Sequence, residues 1–379
     1  MNGFQEPIYA IKPFLPPLSD FCRGLEEIWE NKWLTNYGPL VQRFEKDIGL
    51  FIESENVCIF TNGTLALQLG IQGLELSGEI ITSPFSFVAT SHALFWNKIR
   101  PVFCDIEDDF FTLDPDRVEE LITPWTTAIL AVHVFGHPCR LNALNRIAKK
   151  HGLRLIYDAA HAFGVRVNDK PIAHFGDLSM FSFHATKLFH TLEGGMLVFK
   201  DRLLRTKLNY LKNFGFKNET EVVMPGTNAK MNEMQALMGL LMLNYMDRLI
   251  EKRKKIVSVY RERLGDQAGI RFCPEFGDYI QYNYAYVPVQ IHEQEFGISR
   301  DQLYEELKTY NIFTRRYFYP IIPDFAPYRA ISTSDPLVNA RQISDRILTL
   351  PIYYDLALDD VHRICDIIVH LRDNATAKS

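Results

Sequence analysis

The sequence predicts an α/β fold: a mostly parallel central sheet with crossover helices, followed by a smaller α+β C-terminal domain. Two observations carry this. Short apolar, β-branched runs alternate with amphipathic stretches, and beyond Tyr245 the pattern changes to helices mixed with isolated short strands. The strand runs lie at residues 56–60, 79–82, 101–104, 128–134, 153–157 and 196–199. In a parallel sheet ligands collect at the carboxyl ends of strands, and Asp158 falls at the end of one run. A long helix is expected to begin near Lys230 and to pass through Met231, Met234, Leu237 and Leu241, apolar at three- and four-residue spacing, as far as Lys252-Arg253-Lys254-Lys255. Its methionines read as core or interface filling, and the basic run as the solvated end of a helix, where cations suit the dipole. The expected division is a large domain over residues 1–244 and a small one over 245–379, which carries a short strand at 284–289 and a closing helix at 359–371. Residues 374–379 read as a frayed tail.

Composition narrows the function classes. A chain of 379 residues with 47% hydrophobic content has ample material for a sizeable core. A net charge of −5 argues against a general nucleic-acid binder. The cysteines at 22, 58, 104, 139, 273 and 365 form no Cys-x-x-Cys pair and read as reduced thiols. No run reaches the roughly 18 apolar residues of a membrane span, and no charged-then-apolar signal pattern opens the chain. A cytoplasmic protein without membrane partners is expected.

The chemistry centres on Lys187, which closes Ser182-Phe183-His184-Ala185-Thr186-Lys187, precedes Glu193-Gly194-Gly195 and follows Tyr157-Asp158-Ala159-Ala160-His161. A lysine and an aspartate so placed suggest pyridoxal 5'-phosphate. The amine can hold the cofactor aldehyde, and the carboxylate can pair with the pyridine nitrogen and keep it protonated, so that the ring acts as an electron sink. Asp158 could also cap a helix after its strand, but Lys187 downstream favours the pyridine role. Thr61-Asn62-Gly63-Thr64 reads as a turn opening a helix, whose first amides suit a phosphate; an ordinary capped helix fits the same residues. His184 and His190 flank the lysine without matching Asp, Glu or Cys spacing, and no metal is expected. Arg315-Arg316-Tyr317-Phe318-Tyr319-Pro320 is a basic and aromatic cluster suited to a diphosphate or a sugar, or else a solvent-exposed arginine pair beside a strand.

These residues also carry a family resemblance. Thr35-Asn36-Tyr37-Gly38-Pro39, Thr61-Asn62-Gly63-Thr64, Pro84 to Thr90, His133-Val134-Phe135-Gly136, Asp158-Ala159-Ala160-His161, Ser182 to Lys187 and Gly226 to Met231 occur in the order found in the DegT/StrS family, which the chain resembles over most of its length. The resemblance implies the aspartate aminotransferase-like fold of type I and a pyridoxal phosphate-dependent transamination of a nucleotide-linked keto sugar, with L-glutamate as amino donor. It implies that Gly63, Thr64 and Ser182 hold the cofactor phosphate, that Phe87 covers one ring face and that His161 lies beside the ring's phenolic oxygen. Lys187 and Asp158 would be catalytic, and Tyr37, Arg315, Arg316 and Tyr317 would face the substrate. The arginine-aromatic run is similar to that of enzymes aminating C4 of dTDP-4-keto-6-deoxyglucose; amination at C3, or of another nucleotide sugar, is the alternative. A non-catalytic sensor on the same fold is a further one, against which Lys187 and Asp158 stand. Relatives with histidine at the lysine position are dehydratases, so Lys187 implies amination. Asn228 is implied to reach the cofactor phosphate across a homodimer interface, so that active sites are shared. Lys230 stands where many relatives have arginine and loses its fork geometry.

Overall fold

The computed structural model describes residues 2–331 and 335–377. Its central sheet has seven strands in the order Val57–Phe60, Gly195–Phe199, Leu178–Ser182, Arg154–Asp158, Thr126–Val132, Glu79–Thr82 and Arg100–Phe103. Gly195–Phe199 runs antiparallel to both of its neighbours, whereas the remaining ladders are parallel. Five central strands are almost wholly buried on both faces, which is why they read as unbroken apolar runs. Leu178–Ser182 was not among the expected strands; its two serines interrupt the apolar pattern, and Ser179 is satisfied by the Phe175 carbonyl at 3.1 Å.

A second, antiparallel sheet joins Ile270–Phe272, Val287–Ile291 and Ile347–Leu350. It packs with the helices Met246–Leu264, Arg300–Thr309 and Leu358–Thr376 around a core of its own. Phe4 and Ile8 belong to this core, and Ile8–Tyr9 pairs in parallel with Ile312–Phe313. Among the described residues no helix is long and apolar enough to cross a membrane.

Three expectations are corrected. The single long helix from Lys230 is two helices, Glu233–Leu243 and Met246–Leu264. The first starts late because the Asn232 side chain accepts from the Gln235 amide at 2.9 Å while Gln235 Oε1 accepts from the Asn232 amide at 3.0 Å, a reciprocal cap. It stops where the Asn244 side chain bonds back to the Leu240 carbonyl at 3.3 Å. The basic run sits within the second helix, not at its end, and Arg253 is buried. Position 253 falls on the apolar stripe of Met246, Leu249, Ile256 and Tyr260, and its guanidinium donates to the Ala285 carbonyl at 2.8 Å. The tail is ordered further than expected: residues 374–376 continue the last helix, whereas Lys378 and Ser379 lie outside the described residues.

Candidate active site

Gly63, Thr64, Phe87, Asp158, His161, Ser182, Lys187 and Tyr317 line one cavity of about 540 Å³. It opens at the carboxyl ends of the central strands. Asp158 and Ser182 end two of them, and Gly63 follows a third.

The phosphate end is built by the helix Gly63–Gly73. Asn62 caps it, its side chain accepting from the Leu65 amide at 2.8 Å, and the Asn62 carbonyl accepts from the Ala66 amide at 3.1 Å. The amides of Gly63 and Thr64 are left as those the helix cannot satisfy, beside the Ser182 hydroxyl. Glycine is required at 63, because a Cβ there would stand 2.9 Å from the Ser182 Cβ and 3.2 Å from the Met180 sulfur. Gly195 is required for the same closeness: its Cβ would lie 2.5 Å from the Asn62 carbonyl carbon.

At the other end lies Asp158. Thr90 donates to Asp158 Oδ2 at 2.7 Å and the Ala160 amide to Oδ1 at 3.1 Å. Since an ionised carboxylate only accepts, the Thr90 proton points at Asp158, and Ser86, 2.7 Å from Thr90 Oγ1, must be the donor to Thr90. Burial nevertheless pushes the Asp158 carboxyl up from its usual range; the bonds from Thr90 and Ala160 and the charge of Lys187 pull the other way without winning. Among the described residues no cation pairs with it directly. A protonated ring nitrogen is what such a carboxylate lacks, and a charge-assisted bond to one would hold it ionised.

His161 shows which nitrogen carries its proton. Its Nδ1 accepts from the Phe135 amide at 3.0 Å, and burial drives its pKa well below the usual value. The ring is therefore neutral, with its N–H at Nε2, and is a hydrogen-bond donor to whatever it meets. Phe87 is 60% exposed at the mouth, free to cover a flat ring. Burial lowers the Lys187 amine to about 8, with the Asp158 charge opposing. Its Nζ lies 3.5 Å from the hydroxyl of Tyr286, a residue that also lines the cavity. Apolar and aromatic walls, two open amides, a buried anion, a neutral donor and a low-pKa amine together fit pyridoxal phosphate.

The structure does not bring the remaining expected residues to this cavity. Tyr37 has a left-handed backbone, at φ 61°, and donates its hydroxyl to Glu45 at 2.6 Å. Arg316 is claimed by Asp301 at 2.8 Å and lies over the rings of Tyr304 and Tyr319. Arg315 is exposed, and its backbone pairs with Thr349. Asn228 lines a separate cavity with Leu34, Thr35, Thr61, Lys230, Asn232 and Met234. Lys230 there bonds to Asn213 Oδ1 at 2.9 Å and sits over the Phe214 ring. Thr90 and Tyr286 are site residues that sequence reasoning missed. Thr90 closes the Pro84 to Thr90 motif, so a signal existed for it; Tyr286 lies 99 positions from Lys187 in a stretch that reads only as a strand.

A family model for the DegT/DnrJ/EryC1/StrS aminotransferases matches residues 19–369. A dTDP-4-amino-4,6-dideoxy-D-glucose transaminase of Shigella dysenteriae is 44% identical over 368 residues, covering 97% of this chain and all of that one. An Escherichia coli protein of the same name is 41% identical, covering 97% and 99%. Among solved structures, DesI crystallised with its TDP-sugar product superposes with a TM-score of 0.94 at 35% identity, covering 100% of this chain and 96% of that one. With the site geometry in agreement, the chain belongs to the DegT/DnrJ/EryC1/StrS aminotransferase family.

Proposed function

We propose that this aminotransferase, with pyridoxal 5'-phosphate as its cofactor, moves the amino group of L-glutamate to C4 of dTDP-4-keto-6-deoxyglucose, giving dTDP-4-amino-4,6-dideoxyglucose, in the cytoplasm. The observation that carries the reading is the cavity that gathers Lys187, Asp158 and the open amides of Gly63 and Thr64, in a chain matching two such transaminases over 97% of its length. The test is incubation with glutamate and a panel of nucleotide keto sugars, followed by product mass and NMR. The reading expects an amine at C4 of the dTDP sugar; an amine at C3, or preference for a differently activated sugar, would overturn it.

Bound pyridoxal phosphate supplies an aldehyde that captures amines and a ring that takes up the electron pair left by a departing proton. The geometry supports the following part for the protein's own side chains. Gly63, Thr64 and Ser182 would anchor the phosphate, Phe87 would cover the ring, and the neutral His161, with its N–H at Nε2, would donate to the ring's phenolic oxygen. Asp158 holds the ring nitrogen protonated, while the Ser86–Thr90 chain and the Ala160 amide hold Asp158. Lys187 would hold the cofactor aldehyde and, as a free amine, would take the proton from the donor's α-carbon and return it to the cofactor's aldehyde carbon. The same steps in reverse serve the keto sugar. We take residues 1–244 as the cofactor-binding unit and 245–379 as the smaller one; the core of the small sheet supports this division, although Phe4 and Ile8 join that core, Met246 and Leu249 join the large one, and a further cluster packs Phe85 and Phe135 against Tyr286 and Phe318.

The low pKa of Lys187 has a measurable sign. An amine titrating at about 8 is neutral in roughly a tenth of molecules at pH 7, against well under a thousandth for an exposed lysine. Since the neutral form is the nucleophile, capture of pyridoxal phosphate by cofactor-free protein should accelerate as pH rises and level off above about 8. Stopped-flow absorbance reads this, and a rate still climbing steeply at pH 10 would contradict it.

The same reading makes the enzyme a homodimer with shared sites, Asn228 reaching the partner's cofactor phosphate. Support comes from its position: Asn228 is not among the residues lining its own Lys187 cavity but lines an open one of about 430 Å³, which Thr61 also lines. Exposed Trp29, Trp33 and Leu34 add apolar surface nearby. The methionine helix contributes less than the sequence implied, since Met238 and Met242 are buried within this chain and Met234 alone of the three is exposed. Mixing Lys187→Ala chains with inactive Asn228→Ala chains under subunit exchange should restore activity, because one site of each heterodimer carries neither lesion. Full activity of Asn228→Ala alone would end the shared-site idea.

A further inference from the structure

Tyr286 occupies a place that the aminotransferase reading leaves unused. Among the described residues its hydroxyl is the hydrogen-bond partner of the Lys187 amine, at 3.5 Å. The residue is buried, and its ring is hemmed by His161 at 4.7 Å, Phe135 at 5.7 Å and Tyr317 at 6.0 Å between centroids.

The backbone carrying it is fixed from three directions. The Asn283 side chain donates to the carbonyls of His161, at 2.8 Å, and Phe163, at 2.9 Å, and its Oδ1 accepts from the Ala285 amide at 3.2 Å. This ties the segment to the loop that follows Asp158. Arg253, a buried cation without a carboxylate partner among the described residues, donates to the Ala285 carbonyl at 2.8 Å from the helix behind. Immediately after Tyr286, Val287 enters the small sheet opposite Leu350. Between these ties Tyr284 is held in the left-handed region, at φ 51°, where a bulky side chain sits only under constraint. A buried arginine, a buried asparagine and a strained tyrosine are a costly way to place a side chain that merely fills space.

We propose that Tyr286 is a positioning residue for proton transfer: its hydroxyl holds the Lys187 amine in line between the site where it takes up a proton and the site where it returns it. The inference rests on the reading that Lys187 carries the cofactor and shuttles the proton. When the freed amine becomes an ammonium it has three N–H groups, of which the Tyr286 oxygen accepts one and thereby fixes the direction of the others. Burial pushes the Tyr286 phenol far up, Arg253 only partly offsetting it, so the hydroxyl stays neutral and neither competes for the proton nor adds charge beside Asp158. The groups facing the amine are thus Asp158, the neutral His161, and the phenols of Tyr286 and Tyr317.

The test is Tyr286→Phe, which keeps the ring and removes the hydroxyl. In wild type and variant, borohydride reduction followed by peptide mass mapping reads where the cofactor is attached; single turnover with glutamate and with its α-deuterated form reads the proton transfer. We expect attachment at Lys187 in both, donor KM within about twofold, single-turnover rate lowered roughly 10- to 100-fold, as for loss of a hydrogen bond to a charged group, and a larger deuterium effect in the variant. A variant with normal attachment, rate and isotope effect overturns the proposal. Failure to trap the cofactor on Lys187 in the wild type would instead sink the reading on which it rests. If Tyr286→Phe folds poorly, site-specific fluorotyrosine at 286 retains shape and changes the hydroxyl's acidity; a proton-transfer rate indifferent to fluorination overturns the role equally.

Discussion

Replacing Lys187 with alanine should abolish transamination, lowering turnover by at least about 10⁴-fold, because one side chain supplies both the nucleophile and the proton carrier. The cavity offers no substitute. Its other nitrogen bases are His161, whose Nδ1 is occupied by the Phe135 amide, and His184, whose Nδ1 lies 2.8 Å from Thr186 Oγ1. Two observations separate this from simple misfolding. The Lys187 amine makes one long polar contact, so its truncation should leave the thermal midpoint within a few degrees of wild type. Borohydride should fix the cofactor onto wild-type protein and not onto the variant. A Lys187→Ala protein that kept both the visible colour of bound cofactor and turnover would remove the residue from its assigned role.

Asp158→Asn should lower turnover by about 10²-fold or more, roughly 3 kcal/mol in barrier, while cofactor still attaches at Lys187. The substitution is sterically quiet. The Ala160 amide can only donate and so selects the amide oxygen, which turns the new NH₂ toward Thr90; a hydroxyl can rotate to accept from it. What is lost is the charge. A neutral amide would not hold a ring nitrogen protonated, and the ring would be a weaker sink for the electron pair left by the departing proton. Near-normal rates would mean that Asp158 merely orders the turn after its strand. A collapse in cofactor attachment would mean that its part is binding, not catalysis.

Much of this was legible in the sequence, and the exceptions share a cause. Lys187 and Asp158 were singled out by local pattern, a lysine shortly before a Gly-Gly pair and a carboxylate where a strand ends, and Gly63, Thr64 and Ser182 by resemblance; the structure lines one cavity with all five. The sheet was legible because strands buried on both faces leave long apolar runs. Tyr286 could not be read, since its place beside Lys187 is set by long-range ties, from Arg253 to the Ala285 carbonyl and from Asn283 to the carbonyls of His161 and Phe163. Arg253 was misread for the opposite reason: four adjacent cations look like a solvated face, and only the phase of the helix shows that one of them points inward. Arg316 reads as a phosphate ligand from its neighbours alone, whereas in the structure Asp301, 15 positions earlier, pairs with it. Local pattern reports what a residue is able to do; long-range partners decide whether it is available to do it.

The pairing of Ile8–Tyr9 with Ile312–Phe313 has a consequence for biosynthesis. Asn311 donates its side-chain amide to the Phe4 carbonyl, 307 positions away, and the Phe4 amide donates to Tyr310. During translation this segment emerges long before its partner exists, so an apolar stretch with Phe4 and Ile8 must wait in solution while the whole parallel sheet is made. At about 5–20 residues per second that wait is on the order of 15 to 60 seconds. A ribosome that stalls before residue 310 therefore leaves a nascent chain in which Phe4 and Ile8 have no core to enter. Quality control that recognises exposed apolar termini would find its target there.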